Sequence, residues 1–260
     1  MMAPLGAQGL FAGEHALVTG SASNIGRAIA EALAREGANV RCVDIDAGRN
    51  AETVNGILAA GGAAEPVTAD LATGEGWRVA LPGDGERAVS IFVHSACPPR
   101  RESDTVLAVS ETTFDAMLNT NVRSGFFLAQ ELARRMVAKG LKGRMLFITS
   151  LHAGTPRNLP HYAASKAAQT MLVKELARAL GSHGIRVNGL APGAVPGGGF
   201  NAAAYDFSGR IPLGRLGAAQ DMADAALALL DNRCCGYVTG AVLPVDGGLA
   251  LYNWIDPAKT

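Results

Sequence analysis

The segment HALVTGSASNIG at residues 15–26 decides the fold, because an apolar run passes directly into a turn that holds two glycines. Its first five residues predict a buried β-strand, and a pattern with helical period follows over 25–36. Gly20 permits a sharp turn off the strand, and Gly26 lets the helix pack closely on the sheet, which leaves backbone N–H groups free to bind an anion. We interpret this βα unit, at about 14–36, as a pyrophosphate-binding turn; an ordinary strand-to-helix turn is the alternative. The candidate contacts are Gly20, Ser23, Asn24, Ile25 and Gly26.

Short apolar runs alternate with helical patterns along the rest of the chain. The predicted strands are 15–19, 40–44, 66–69, 90–94, 145–149, 185–190 and 241–245. The predicted helices are 25–36, 47–60, 112–139, 162–180 and 218–230, with glycines at 37, 140, 181 and 184 where helices should end. Apolar runs suit strands that are covered on both faces, and strand–helix alternation is typical of a parallel sheet. The predicted fold is α/β, a single Rossmann-type domain over 1–260 with a doubly wound parallel sheet of seven strands, and a ligand at their carboxyl ends.

The charge balance limits the class of partner. The chain has 260 residues, and its 23 basic and 23 acidic side chains give a formal net charge of zero. Nucleic acids and anionic membranes are held mainly by surplus positive charge, so neither is an expected partner. Charged residues make up only 18% of the chain, below the usual ~25%. This apolar balance favours subunit contacts.

Neither the cysteines nor the N-terminus indicates a metal site or export. Cys42, Cys97, Cys234 and Cys235 lack the paired spacing of zinc ligands, and no histidine stands beside them at ligand spacing. Residues 1–14 hold no basic residue ahead of an apolar run, so they make a poor signal peptide. The longest uncharged stretch, 187–205, is broken by prolines and glycines and is unsuited to a membrane helix. We expect a cytoplasmic protein with reduced cysteines and no metal.

An acidic residue ends the second predicted strand. Asp44 follows Gly20 by 24 residues, and a carboxylate there can accept from both ribose hydroxyls while repelling a 2′-phosphate. This arrangement favours NAD over NADP as the cofactor. Asp44 could instead cap the following helix, and Arg41 and Arg49 nearby leave the phosphate preference open.

Tyr162 and Lys166 stand four residues apart at the start of a predicted helix, so they share one face. A fixed positive charge beside a phenol lowers its pKa towards the working pH, which makes a competent general acid/base. Ser150 ends the preceding strand, and its hydroxyl could donate to a substrate carbonyl oxygen. On its own, the Tyr–Lys spacing is common enough to be an unremarkable helix pair.

Taken together, TGSASNIG, NTNVRSGFF, Ser150, YAASK and VNGLAPG resemble the short-chain dehydrogenase/reductase family, in its common form of about 250 residues, over essentially the whole chain. The resemblance implies hydride transfer with NAD(P) and without a metal. It implies that Tyr162 donates or accepts the proton and that Lys166 binds the nicotinamide ribose and tunes Tyr162. Ser150 would orient the substrate oxygen, and Asn121 would hold a water in a proton relay.

The same resemblance supplies further cofactor contacts and an assembly. Pro192 and Gly193 match a turn beside the nicotinamide. The family often has a threonine soon after this turn, and its hydrogen bond would here come from the backbone near Val195 or from elsewhere. Asp70 and Leu71 match the pair that contacts adenine, and Ala96 belongs to a tetrad that supports the ribose. The closing strand with VDGG, in the segment 241–260, resembles a tail that builds a homotetramer.

Two departures from the family pattern bear on the site. His94-Ser95-Ala96-Cys97 stands where the family usually has Asn-Asn-Ala-Gly. The His-Ser opening resembles the enoyl-reductase branch, but that branch has a longer Tyr-to-Lys spacing, so we reject it. Asn24 replaces a glycine that many members have, and asparagine tolerates left-handed φ better than most residues.

The loops after strands four to six would surround the substrate. Aromatic residues at 200, 205 and 207, within a short substrate loop at 196–210, could form an apolar wall. Arg157, Asn158 and His161 could meet polar groups, although exposed loop residues without such a role are the more frequent case. We interpret Arg100 and Arg101 as a solvated pair rather than an anion clamp.

The sequence predicts an NAD-dependent oxidoreductase that acts on a secondary alcohol or ketone, with Tyr162 as general acid/base. Its partners would be a small-molecule substrate and further copies of the chain, with a tetramer favoured. Two alternatives stay open: a catalytically idle nucleotide-binding redox sensor, which the altered HSAC tetrad favours, and an NADP-linked 3-oxoacyl reductase.

Overall fold

Seven parallel strands form one sheet in the order β3-β2-β1-β4-β5-β6-β7. The computed structural model describes residues 9–83, 88–197, 200, 207 and 209–251. The strands are β1 His15–Thr19, β2 Asn39–Asp44, β3 Ala63–Thr68, β4 Ile91–His94, β5 Arg144–Ile148, β6 Arg186–Pro192 and β7 Val242–Val245. The α-helices are α1 Asn24–Arg35, α2 Ala47–Ala59, α3 Gly76–Ala80, α4 Glu111–Leu118, α5 Gly125–Ala138, α6 Pro160–Leu180, α7 Ala219–Leu230 and α8 Asn232–Cys235. The predicted doubly wound parallel sheet is confirmed.

The order of the strands places a crevice between β1 and β4. The chain runs outward from β1 to β3 and then returns to pair β4 with the other side of β1, with Ala16 opposite Ile91. The connections on the two sides of β1 therefore diverge at the carboxyl ends of these strands. In open α/β sheets this switch point is where ligands bind.

Both faces of the sheet are covered by helices, which explains why the strands are apolar throughout. Ala16 and Val18 pack on the face that α1, α2 and α7 cover, whereas Leu17 packs on the face that α5 and α6 cover. Successive strand residues point to opposite faces, so a strand that is buried on both sides needs apolar residues at every position.

The helix predicted over 112–139 is interrupted. Between α4 and α5 lies a π-helical turn, Asn119–Ser124. This turn presents the carbonyl groups of Thr120 and Asn121 to the side chain of His94. Such π turns are frequent at functional sites, and hydrophobic periodicity does not reveal the one extra residue.

The predicted end of α6 is confirmed, because the helix runs over Pro160–Leu180 and Gly181 is its C-cap. Gly181 has a right-handed φ of −58° and begins a 3-10 turn, Gly181–His183. The chain leaves this 3-10 turn at Gly184, which has a left-handed φ of 71°.

No helix in the part of the chain that the structure describes is both long and apolar enough to span a membrane.

Candidate active site

A cavity of about 740 Å³ opens at the carboxyl ends of the strands. Most of the sequence-predicted site residues line it: Gly20, Ser23, Asn24, Ile25, Gly26, Asp44, Ser150, Tyr162, Lys166, Pro192, Gly193 and Val195. Four predicted residues lie outside its lining: Asp70, Leu71, Ala96 and Asn121. One continuous cavity therefore joins the glycine turn to the Ser–Tyr–Lys group.

The glycine turn after β1 is built by close backbone approach. Gly20 has a φ of 73°, and a Cβ atom on Gly26 would lie 2.0 Å from the carbonyl oxygen of Gly20. Asn24 adopts a left-handed φ of 48°, the conformation that we expected it to tolerate, and its Nδ2 donates to the carbonyl of Pro196 at 3.1 Å. The turn thus leads the chain into α1 without a side chain at its two tightest points. These features fit the pyrophosphate of a dinucleotide at the N-terminus of α1.

Asp44 is the last residue of β2 and lies next to this turn. Its Oδ2 accepts a hydrogen bond from the backbone N–H of Ala22, and its Oδ1 accepts from Asp46 N, both at 3.0 Å. The role of capping α2, which we considered for Asp44, belongs to Asp46, whose Oδ1 accepts from Arg49 N. Asp44 therefore lines the cavity beside the turn.

Ser150, Tyr162 and Lys166 meet at the other end of the cavity. Ser150 follows β5 and starts a 3-10 turn, where its Oγ accepts from His152 N at 3.1 Å. The Nζ of Lys166 lies 5.7 Å from the ring centre of Tyr162. It donates to the carbonyl of Ile148 at 2.7 Å and to Oε1 of Gln169 at 3.0 Å. Two hydrogen bonds therefore hold the ammonium group beneath the Tyr162 ring.

The expected lowering of the Tyr162 pKa is wrong for this structure. Burial raises the pKa of Tyr162 and outweighs the opposing effects of the Arg100 charge and a hydrogen bond with Ser150. Burial also lowers the pKa of Lys166. The sequence indicated the neighbouring charge but not the depth of burial, and desolvation disfavours the charged form of both groups. Tyr162 is therefore a protonated phenol at neutral pH.

Asn121 lies behind the cavity and is connected to it through Gln169. The Nε2 of Gln169 donates to the backbone carbonyl of Asn121 at 2.8 Å, and its Oε1 accepts from Lys166. The side-chain Nδ2 of Asn121 donates to Ser165 Oγ at 2.9 Å. Sequence reasoning missed Gln169, although it follows Tyr162 by seven residues and Lys166 by three, which places all three on one helix face.

His94 also contacts the backbone carbonyl group of Asn121. Its Nδ1 lies 3.0 Å from Thr19 Oγ1, and its Nε2 lies 3.1 Å and 3.2 Å from the carbonyl oxygens of Thr120 and Asn121. Complete burial lowers the pKa of His94 to about 4. The imidazole is therefore neutral, with Nε2 as the donor to the carbonyls and Nδ1 as the acceptor from Thr19. A Cβ atom on Gly125 would come within 2.7 Å of this ring, so Gly125 leaves the space that the histidine needs.

The remaining predicted cofactor residues contact other parts of the protein instead of lining the cavity. Asp70 follows β3, and its Oδ1 accepts from Ala72 N at 2.9 Å. Leu71 is buried in the core. Ala96 packs behind the glycine turn, where its N–H donates to Thr19 Oγ1 at 3.2 Å. Ala96 therefore supports the turn from behind rather than lining the cavity.

The substrate end of the cavity differs from the sequence interpretation at several positions. Arg100 lines it, with its guanidinium carbon 4.8 Å from the centre of the Tyr162 ring, so the reading of Arg100 and Arg101 as a solvated pair is wrong for Arg100. Arg157 also lines the cavity, whereas His161 is fully buried outside its lining. Asn158 is likewise outside it and accepts from Val106 N.

The predicted apolar wall is only partly described. Phe200 and Phe207 line the cavity, with ring centres 5.9 Å apart. Tyr205 and most of the predicted substrate loop at 196–210 lie outside the described residues.

Comparison with known proteins places the chain among nicotinamide-dependent oxidoreductases. A family model described as enoyl-(acyl carrier protein) reductase matches residues 20–250. A (3R)-3-hydroxyacyl-CoA dehydrogenase of Canis lupus familiaris is 34% identical over 256 residues, which cover 90% of this chain and 95% of that protein. L-xylulose reductase of Mus musculus is 35% identical over 246 residues, covering 91% and 96%. A crystal structure of a gluconate 5-dehydrogenase from Burkholderia cenocepacia J2315, in complex with NADP and tartrate, aligns with a TM-score of 0.83 at 32% identity, covering 92% and 96%.

Proposed function

Because the chain belongs to the short-chain dehydrogenase/reductase family of oxidoreductases, we propose that it transfers a hydride between NAD(H) and a secondary alcohol or ketone, with Tyr162 as the proton donor and acceptor. One observation carries the proposal. A single cavity holds the glycine turn with Asp44 at one end and the hydroxyl groups of Ser150 and Tyr162 at the other. A dinucleotide and a small alcohol would therefore share one cavity.

Each residue at the substrate end of the cavity would have its own role in the transfer of the proton. When bound, the nicotinamide supplies the carbon that gives or takes the hydride. Tyr162 donates a proton to the carbonyl oxygen in reduction and accepts the hydroxyl proton in oxidation. Ser150 donates a hydrogen bond to the same substrate oxygen and stabilises the charge that develops on it. Lys166 provides a fixed positive charge that favours the phenolate form of Tyr162 during oxidation.

Asn121 would act from behind this group as a relay and positioning residue. Its Oδ1 is buried and has no hydrogen-bond partner among the residues that the structure describes. A buried amide oxygen of this kind is suited to accept from a water molecule. Gln169 and His94 both bind the backbone carbonyl of Asn121, which fixes the position of the amide.

Asp44 favours NAD over NADP. A carboxylate that faces the ribose would repel a 2′-phosphate at short range. The gluconate 5-dehydrogenase relative was crystallised with NADP, so the preference proposed here depends on Asp44 itself. Contacts of Asp70 and Leu71 with adenine, and of Ala96 with the ribose, remain predictions from the family resemblance.

A homotetramer is the proposed assembly. The last strand of the sheet, β7, carries the 42% exposed Leu243, and the fully exposed Tyr237 lies near its start. Large apolar side chains on an edge strand favour burial against a second copy. Trp254 and the rest of the tail at 252–260 lie outside the described residues. Light scattering on the purified protein distinguishes a tetramer from a dimer or a monomer.

The function is tested by titrating the purified protein with NADH and with NADPH, followed by a panel of secondary alcohols with the preferred oxidised cofactor. We expect tighter binding of NADH and the formation of reduced cofactor with at least one alcohol. Cofactor binding without turnover across polyols, hydroxy acids and hydroxyacyl thioesters would contradict the proposal and would favour the redox sensor. Tighter binding of NADPH would contradict the assigned cofactor and would favour an NADP-linked reductase.

A further inference from the structure

Arg100 brings an unbalanced positive charge to the reacting end of the cavity. Its guanidinium lies over the face of the Tyr162 ring, 4.8 Å from the ring centre, and the side chain lines the cavity. Its Nε is buried and makes no hydrogen bond to any residue that the structure describes. An arginine with a buried and unsatisfied donor is costly, because the lost hydration has no compensating partner.

The neighbouring charges do not balance Arg100. Arg157 also lines the cavity, but it pairs with Glu102 at 2.6 Å. Lys166 adds a second positive charge, and Tyr162 is a neutral phenol. Burial lowers the pKa of His152, whose Nδ1 lies 2.9 Å from the carbonyl of Thr155, so this imidazole is neutral too. Within the described part of the chain, the substrate end therefore carries surplus positive charge.

We propose that Arg100 binds a carboxylate of the substrate, so that the enzyme acts on hydroxy acids or keto acids in which the carboxylate lies a few bonds from the reacting carbon. This inference rests on the proposed function and names the substrate class of the same site. The planar guanidinium matches the geometry of a carboxylate and can donate two parallel hydrogen bonds. Because Arg100 lies against the ring whose hydroxyl contacts the reacting oxygen, the charged group must be close to that oxygen in the substrate.

A carboxylate site at Arg100 would separate substrate types that the relatives leave open. An acyl thioester of coenzyme A is neutral near its reacting carbon, and its phosphates lie at the far end of a long chain. A polyol has no charge at all. Of these substrate types, a compact acid places a negative charge beside Tyr162 and at the same time satisfies the buried donor of Arg100.

The test compares substrate pairs that differ only in charge. Hydroxy acids with three to six carbons are assayed beside their methyl esters, and aldonic acids beside the alditols of equal length. Arg100→Gln removes the charge, Arg100→Lys keeps it without the planar fork, and Arg101→Gln is the matched control at the adjacent exposed position. The readout is the ratio of kcat/KM for the acid to kcat/KM for its neutral partner. This ratio cancels any common effect of Arg100 on Tyr162.

We expect the wild-type enzyme to prefer the acids, and the ratio to fall by about tenfold to a hundredfold in Arg100→Gln, mainly through KM. Arg100→Lys should restore part of it, and Arg101→Gln should leave it unchanged. A wild-type preference for the neutral partners, or an unchanged ratio in Arg100→Gln, would overturn the proposal.

A binding experiment separates this inference from the proposed function. The complex with NADH is titrated with malonate, which has carboxylates but no hydroxyl group to react. Weaker malonate binding in Arg100→Gln by about tenfold or more supports the anion site, even if no alcohol is turned over, in which case the proposed function fails alone. Equal malonate affinity in the variant and the wild type would overturn the anion site while leaving the proposed function intact.

Discussion

The imidazole of His94 links β4 to the end of β1, because its Nδ1 lies 3.0 Å from the hydroxyl oxygen of Thr19. The same hydroxyl accepts from the backbone N–H groups of Ser95 and Ala96. Its proton is therefore free to be donated to His94. Three residues of the HSAC tetrad, the most conspicuous departure from the family pattern, thus share one hydrogen-bond network with Thr19.

This network predicts a specific acid sensitivity. The pKa of His94 is about 4 in the folded protein, against about 6.5 when unfolded. The unfolded state therefore binds the proton first, so the contribution of His94 to stability is fully present above about pH 6.5 and is lost as the pH falls through about 4. Between about pH 7.5 and about pH 4.5 this loss amounts to about 2 to 3 kcal/mol in the free energy of unfolding.

Urea unfolding at those two pH values, for the wild type and His94→Asn, checks this prediction. The difference between the two pH values should shrink by about 2 to 3 kcal/mol in the variant. His183→Asn, at an exposed position, is the matched control and should behave as the wild type does. If the free energy of unfolding falls between the two pH values by the same amount in His94→Asn as in the wild type, the assignment of a neutral, buried imidazole is wrong.

The direction of the Tyr162 shift sets the pH dependence of the reaction. Burial raises its pKa above the usual value of about 10. Oxidation needs the phenolate as proton acceptor, so kcat for alcohol oxidation should rise with pH throughout the alkaline range. Reduction needs the phenol, so its kcat should fall only in that range. Because the charge of Arg100 lowers the pKa of Tyr162, Arg100→Gln should move both profiles to higher pH. Oxidation rates that decline as the pH rises above neutral would rule out Tyr162 as the base.

Asp44 is expected to control the choice of cofactor. Replacing it by serine removes the charge that repels a 2′-phosphate, so the ratio of the Kd for NADPH to the Kd for NADH should fall by about tenfold or more. Fluorescence titration with both reduced cofactors gives the ratio directly. Asp46→Ser is the comparison, since the carboxylate of Asp46 caps α2, and it should change the ratio less. Identical ratios in the wild type and Asp44→Ser would contradict the proposed role.

Gly26 in the phosphate turn and Gly56 in α2 are expected to respond differently to substitution by alanine. A Cβ atom on Gly26 would collide with the carbonyl of Gly20, whereas one on Gly56 in α2 would meet nothing within 4 Å. Gly26→Ala should therefore weaken NADH binding severely and lower stability. Gly56→Ala should raise stability by about 0.5 to 1 kcal/mol and leave binding unaffected. Thermal unfolding and NADH titration of both variants provide the check, and normal binding in Gly26→Ala would be inconsistent with the turn described here.

Much of the fold could be predicted because its strands are buried on both faces. The bounds of β1, His15–Thr19, coincide with the predicted strand. In contrast, β3 begins three residues before its predicted start at 66 and ends one residue earlier. Its residues are half-buried or exposed and include Pro66, so no apolar run marks where the strand begins. The missing apolar run explains why the start of β3 was predicted too late.

The candidate site could be predicted where its residues are close in sequence. The spacing of Tyr162 and Lys166 correctly placed them on one side of α6, and they line the same cavity. The partners of Lys166 include the carbonyl of Ile148 in β5, which only the folded chain brings near. The position of Arg100 over the Tyr162 ring depends in the same way on the path of a loop. Burial, which reverses the direction expected for the Tyr162 pKa, and long-range contact are both properties of the tertiary structure.

The most direct test of hydride transfer with Tyr162 as the acid/base compares the wild type with Tyr162→Phe in one pair of assays. NADH binding is measured by fluorescence, and the formation of reduced cofactor is followed with the best alcohol substrate. We predict that NADH affinity changes by no more than a few-fold, while kcat falls by about a hundredfold to ten-thousandfold. A Tyr162→Phe variant that binds NADH and turns over at the wild-type rate would contradict the mechanism.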